Sequence, residues 1–312
     1  MRPAFSVVFL TTLIGAGQGL FLALYAGDLG ARWSLLAPVG ARFLAIGAAI
    51  AVALAALGLL ASFFHLGRPE RAWRSAARWR TSWLSREVIA LPVFIAAAAA
   101  YGGAHLYGIA AAPAIGAVGL AACLALFFCT AMIYACIRFL QEWASPLTVA
   151  NFFLIGTASG MTLAAGLAAL LSPGAAPAYA RAALAFTALA LASRAASLAR
   201  NARLRPKSTL QSAIGMRERR IEQKSQGFMG GSFNTREFFH GVAARRFRAI
   251  KWAFIVLAFL VPMALAAAAL ASGSAPLLVA APFVQYAGLI AERWYFLAQA
   301  NHPQNLYYQS MA

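Results

Sequence analysis

Acidic residues are almost missing from this sequence: eight Asp and Glu stand against 26 Lys and Arg among 312 residues. Charge of either sign is scarce too, at 11% of the chain, whereas soluble domains carry nearer a quarter. So small a polar stock could not cover a water-soluble globule, which excludes that class. The formal charge of +18 could suggest a nucleic-acid binder. The basic residues fall between apolar runs, however, where membrane topology needs them, so no nucleic acid is expected as a partner.

Cysteine is short as well. Cys123, Cys129 and Cys136 share one apolar segment with no Cys-x-x-Cys among them, so the chain is expected to hold no metal site of its own, neither iron–sulfur nor zinc. Only four histidines remain, and a b-type haem needs two of them facing each other inside the membrane. Just His65 and His105 lie near apolar runs. His105 follows Glu87 by 18 residues, about 27 Å of helix at ~1.5 Å per residue, and so belongs to the opposite membrane face from His65. No haem is expected.

What the chain has is apolar residue, 62% of it. Eight runs reach the roughly 20 residues that one crossing takes: 5–26, 40–64, 88–108, 113–138, 147–171, 180–199, 250–271 and 275–298. The expected fold is therefore all-α, a polytopic integral membrane protein of eight transmembrane helices. It forms one membrane domain over 1–312, with a basic interfacial loop at 65–87 and a long basic loop at 200–249. No small-x-small cleavage site precedes the first run, which is expected to be retained. Pro92, Pro262 and Pro282 fall inside spans, where a kink is tolerable if a neighbour satisfies the freed carbonyl. All Lys and Arg except Arg32, Arg42 and Arg181 fall on the side of the N-terminus. By the positive-inside rule both termini and the 65–87 loop face the cytoplasm, in a bacterial inner (cytoplasmic) membrane. A basic loop can also be a docking surface for an acidic partner.

The stretch HLGRPERAWRSAARWRTSWLSRE, from His65 to Glu87, organises the rest. It holds six arginines, three tryptophans and a Gly67-Arg68-Pro69 turn between two apolar helices. If both helices cross the bilayer, His65 and Glu87 return to one depth at one face. Imidazole titrates near neutrality and can donate to or accept from a quinone oxygen. A carboxylate at the bilayer boundary can serve as proton acceptor or donor. The plainer alternative makes His65 a helix cap and pairs Glu87 with Arg86 or another loop arginine. Between them Ala72, Ala76, Trp79 and Trp83 fit one face of a short amphipathic helix, with Arg71, Arg74 and Arg78 on the other. Lipid anchoring and partner docking both suit such a segment. Near the C-terminus Gln285 and Glu292 share a face. Glu292 either extends a proton path or pairs with Arg138 or Arg194. Gln18 lies among small residues of the kind that mark close helix packing.

Several strings resemble the membrane-anchor subunit of dimethyl sulfoxide reductase-type molybdoenzymes, the DmsC family, which includes sulfite dehydrogenase-type anchors. They are SVVFLTTL from Ser6, HLGRP from His65, SWLSRE from Ser82, MIYA from Met132 and SFNTREFFHG from Ser232. The resemblance implies eight spans, no haem, and a menaquinone or ubiquinone site at the positions of His65 and Glu87, with Gly67, Arg68, Arg71 and Trp83 around its mouth. It implies two partners besides the lipid bilayer. One is a ferredoxin-like subunit with iron–sulfur clusters, the other a catalytic subunit with molybdopterin. The expected function is exchange of electrons between quinone/quinol and the iron–sulfur subunit, by a chain that is not catalytic alone. The rival is a structural membrane anchor with no quinone site of its own.

Overall fold

In a computed structural model, residues 1–225 and 233–309 are described. Ser232, the first residue of the SFNTREFFHG string, lies outside them. Among the described residues, eight helices are long and apolar enough to cross a membrane: α1 (Phe5–Arg32), α2 (Ala41–Phe63), α3 (Trp83–Leu106), α4 (Ala112–Ala135), α5 (Pro146–Leu171), α6 (Ala176–Ala202), α7 (Ala244–Ser272) and α8 (Ala275–Ala298). There is no strand among the described residues. Short connections make most successive helices antiparallel, and the two longer ones, 64–82 and 203–243, likewise join helix ends on one face. The starts of α1, α3, α5 and α7 therefore share one face with the ends of α2, α4, α6 and α8.

Two helices form the centre. In α1 and α5, 61% and 67% of the apolar window is buried, against 28–44% in the others. Their approach is set by glycine. A Cβ on Gly19 would run into the backbone of Gly156, and one on Gly160 into the backbone of Gly19. Lipid is as apolar as leucine, so helices in a bilayer gain from backbone contact and small residues concentrate where they cross. Large apolar side chains such as Leu57, Val118, Leu170, Leu189 and Phe283 stay exposed on the outside of the bundle, as a lipid-facing surface requires.

Helix ends depart from the apolar runs for identifiable reasons. α1 continues six residues past the run ending at 26, where the charges of its last turn find partners in α1 itself and in α3. Asp28, buried there, accepts from Arg32 Nε at 2.9 Å and Tyr101 Oη at 3.1 Å, and lies 3.2 Å from His105 Nε2. α3 starts five residues before the run that opens at 88. The hydroxyl of Ser82 accepts from the Ser85 N–H at 3.4 Å and caps the helix at Trp83. Glu87 therefore sits one turn inside α3 rather than at its lip.

Proline shapes α7. Pro262 has no N–H to offer the Ala258 carbonyl one turn back, and the helix widens to a π turn over Val256–Leu260. The released carbonyl accepts from Gln285 Nε2 of α8 at 3.1 Å. The neighbour that the proline requires is thus a polar residue seven positions before Glu292.

The loop between α2 and α3 is helical, but with a different repeat from the one expected. Pro69–Arg78 forms a 3-10 helix, in which residues three apart stack. Trp73, Ala76 and Trp79 make one ridge, and Arg68 and Pro69 lead into another that includes Arg71 and Arg74. Trp83 belongs to α3 instead. Trp73 and Trp79 are 71% and 52% exposed, and Arg74 and Arg80 lie over their rings at 5.5 and 5.3 Å. An aromatic ridge flanked by guanidinium groups suits the headgroup zone.

Candidate functional site

Glu87 is 6% exposed, on the first turns of α3 and against α4. Thr130 of α4 donates to its Oε1 at 2.5 Å. No ion pair among the described residues involves it. The plainer alternative for this carboxylate is therefore not what the structure holds. Arg86, its neighbour in sequence, donates to the carbonyls of Trp79 and Arg80 at 2.8 and 2.9 Å and stacks on Trp83 at 4.1 Å.

Glu87 faces a small cavity between α1, α4, α5 and α8. Its polar lining includes Thr12, Gln18, Glu87, Thr130, Ser159 and Arg293. The water-accessible volume is about 30 Å³, room for a water or two and far too little for a six-membered ring. Gln18 is fixed at the cavity wall, donating to the Cys123 carbonyl at 3.0 Å.

Beside the cavity lies a buried charge cluster. Glu292 is fully buried; its Oε1 is 2.7 Å from Arg194 Nε and its Oε2 2.6 Å from Arg293 Nε. The pairing of Glu292 with Arg194 is one of the two alternatives that the sequence offers. Charge counting groups Arg293 with the exposed basic residues of the N-terminal face. It is instead 5% exposed, with its guanidinium over the rings of Phe152 and Phe296 at 4.4 and 4.8 Å.

The other candidate residues lie outside this cavity. His65 is exposed just beyond the end of α2, as are Gly67, Arg68 and Arg71, and Trp83 is half-buried with its edge against Phe128 at 5.4 Å. Of the six, only Glu87 lines the cavity. Burial still acts on the His65 imidazole and lowers its pKa from the ordinary 6.5. The remaining histidines are engaged elsewhere. His105 is at Asp28, His240 stacks on Phe247, and His302 stacks on Phe238. On the same face as His65 opens a wide cleft with about 1360 Å³ of water-accessible space, walled by Arg2, Glu142, Arg205, Lys207, Arg236 and His240 among others.

The family model described as the DMSO reductase anchor subunit (DmsC) matches residues 2–215. The chain belongs to the DMSO reductase anchor subunit family. Among curated proteins, the C subunit of the sulfite dehydrogenase of Allochromatium vinosum is 53% identical to this DmsC-family chain over an alignment of 325 residues that spans the full length of both. The chain is accordingly a membrane anchor of a multi-subunit oxidoreductase, of the kind that works beside catalytic and electron-transfer partners.

Two residues of this candidate site escape sequence reasoning. Thr130 sits in an apolar run with nothing to mark it as a partner of Glu87. Arg293 carries a signal, because two adjacent charges, Glu292 and Arg293, within an otherwise apolar run cannot both point to water. Which cavity they border depends on how α8 packs, and that is not encoded in spacing.

Proposed function

We propose that the chain exchanges electrons between a membrane quinone, ubiquinone or menaquinone, and a ferredoxin-like iron–sulfur partner. It would be the quinone-reactive anchor of a molybdopterin enzyme whose catalytic subunit faces the cytoplasm, held in a bacterial cytoplasmic membrane with both termini and the 65–87 loop inside. The observation that carries this reading is Glu87, a carboxylate within an apolar bundle, capped by one hydroxyl, without a cation bonded to it among the described residues, at the face where the basic loops gather. Ionisable groups at membrane depth are rare and mark ion or proton chemistry far more often than plain packing.

A bound quinone supplies the chemistry of two electrons and two protons. His65, neutral at pH 7 because burial lowers its pKa, donates to or accepts from a ring oxygen. Glu87 gives or takes a proton at its carboxylate, which the Thr130 hydroxyl holds in place. Gly67 leaves the backbone beside His65 open, since a Cβ there would meet nothing within 4 Å. Arg68, Arg71 and Trp83 shape the mouth. The ring stays on the loop side of Glu87, because the cavity behind the carboxylate takes only water. The wide basic cleft suits an acidic partner, and the 53% identity to a sulfite dehydrogenase's C subunit favours sulfite as the source of electrons.

The test is Glu87→Gln in the assembled complex. It keeps shape and the Thr130 contact but cannot exchange a proton. Quinone-linked turnover is expected to fall about a hundredfold, within the usual range for loss of an acid–base group, while the complex still assembles. Turnover at the wild-type rate would favour the rival reading, a structural anchor with the quinone bound elsewhere.

A further inference from the structure

Two residues that line the cavity behind Glu87 each keep a hydrogen-bonding atom without a partner among the described residues. Glu87 has a bond to Oε1 and none to Oε2 among the described residues. Arg293 lines the same cavity, and its Nη1 is buried with no hydrogen-bond partner. An unsatisfied buried donor on a cation is costly, and native structures leave few. Arg293 is also unable to swing away. Its Nε is held by Glu292, whose other oxygen is held by Arg194, and its plane lies over Phe152 and Phe296. Each oxygen of Glu292 lies within 2.7 Å of a guanidinium Nε, one of Arg194 and one of Arg293, and Nη1 of Arg293 takes no part in either contact.

We propose that ordered water, one molecule or two, fills this cavity and links Arg293 Nη1 as donor to Glu87 Oε2 as acceptor, and that Arg293 is a positioning residue for the carboxylate that exchanges protons. The inference rests on the reading of Glu87 given above. Size selects the occupant: about 30 Å³ admits water and nothing with a ring. Polarity supports it, because Thr12, Ser159 and Gln18 share the wall, and a buried water needs two to four polar partners. The water at Oε2 and the Thr130 hydroxyl at Oε1 then hold one carboxylate oxygen each. Arg194 and Glu292 work at one remove, by holding Arg293.

Gly15 provides a variant that probes the water without touching a charge. It lines the cavity, and a Cβ built on it meets only Gly156 Cα, at 3.9 Å. Gly15→Ala therefore takes up water space without a clash. The experiment measures sulfite-driven reduction of a short-chain ubiquinone analogue in membranes that contain the whole complex, per assembled complex, for Gly15→Ala, Arg293→Gln, Arg293→Lys and Glu87→Gln. For Arg293→Gln, kcat is expected to fall about tenfold with KM for the quinone analogue unchanged, since the group positions an acid–base residue and does not touch the ring. Arg293→Lys, which keeps a cationic donor, is expected to recover at least half of that loss, and Gly15→Ala to lower kcat about threefold. The inference is overturned if Glu87→Gln is inactive while Gly15→Ala and Arg293→Gln keep the wild-type kcat, or if Arg293→Gln raises KM and leaves kcat alone. Should Arg293→Gln fail to assemble, Gly15→Ala decides by itself. A Glu87→Gln complex with full turnover would overturn the parent reading as well, which separates the two failures.

Discussion

His65 and Glu87 arrive at the same end of the bundle by different routes, and their surroundings give them different work. The imidazole stands in a loop and the carboxylate in a packed helix. Burial lowers the pKa of His65 from 6.5, desolvation disfavouring the charged form. The sign follows directly: the group is neutral at pH 7 and above, and becomes a cation only as the pH falls through a value below the ordinary imidazole one. A protonated ring keeps both N–H donors but loses its acceptor. The acid limb of quinone-linked turnover is therefore expected below about pH 6.5, and His65→Gln, whose amide does not titrate, should lose it. The pH–rate profiles of the two complexes check this, and an unchanged acid limb in the variant would remove His65 from the chemistry. At this scale the sequence reaches far. HLGRP and SWLSRE mark the two residues, and Glu292 inside a span announces a cationic partner. It stops at Thr130 and Arg293, whose value comes from which helices touch, a property of packing in three dimensions.

Among the helices, α7 and α8 are coupled by a backbone defect and its repair. The proline at 262 frees the Ala258 carbonyl, the helix opens into a π turn, and Gln285 fills the vacancy. A buried carbonyl without a donor costs about 1–3 kcal/mol, so Gln285→Leu is expected to destabilise the detergent-solubilised complex by that amount. Pro262→Ala restores an N–H that can close the ordinary turn onto Ala258. In that background Gln285→Leu should cost much less, and a double-mutant cycle in thermal unfolding reads the difference as coupling between the sites. Additive effects would show that Gln285 serves some other group. The proline and the need for a donor are visible in the sequence; the identity of the donor is not. The 65–87 loop is the opposite case. Its residues fit an α-helical face by 4-3-4 spacing, yet the chain winds at three per turn and lines up Trp73, Ala76 and Trp79. A 3-10 helix of ten residues, Pro69–Arg78, is too short for periodicity to distinguish the two repeats.

The number of spans and their approximate extents are legible in the sequence because composition nearly decides them. Apolar runs of bilayer length must be helices, since no other single-segment structure satisfies its own backbone in lipid. Orientation is a separate matter that rests on charge. With Arg32, Arg42 and Arg181 as the only Lys or Arg residues assigned to the far side, the loops at 65–87 and 200–249 should lie in the cytoplasm. The chain carries a native reporter for this. Cys136 is exposed at the end of α4, on the face that holds both termini, while Cys123 and Cys129 are buried. A membrane-impermeant maleimide is expected to label Cys136 in inverted vesicles and not in spheroplasts, and Cys136→Ser should abolish the signal. A bound partner could shield that face, so the far side needs its own probe. Leu35, 73% exposed between α1 and α2, serves when changed to cysteine in the Cys136→Ser background. It should be labelled in spheroplasts alone. Labelling of Leu35→Cys only in inverted vesicles would turn the molecule over, carry Glu87 and the basic cleft to the outer face, and make the loop arginines a docking surface in place of a topological signal.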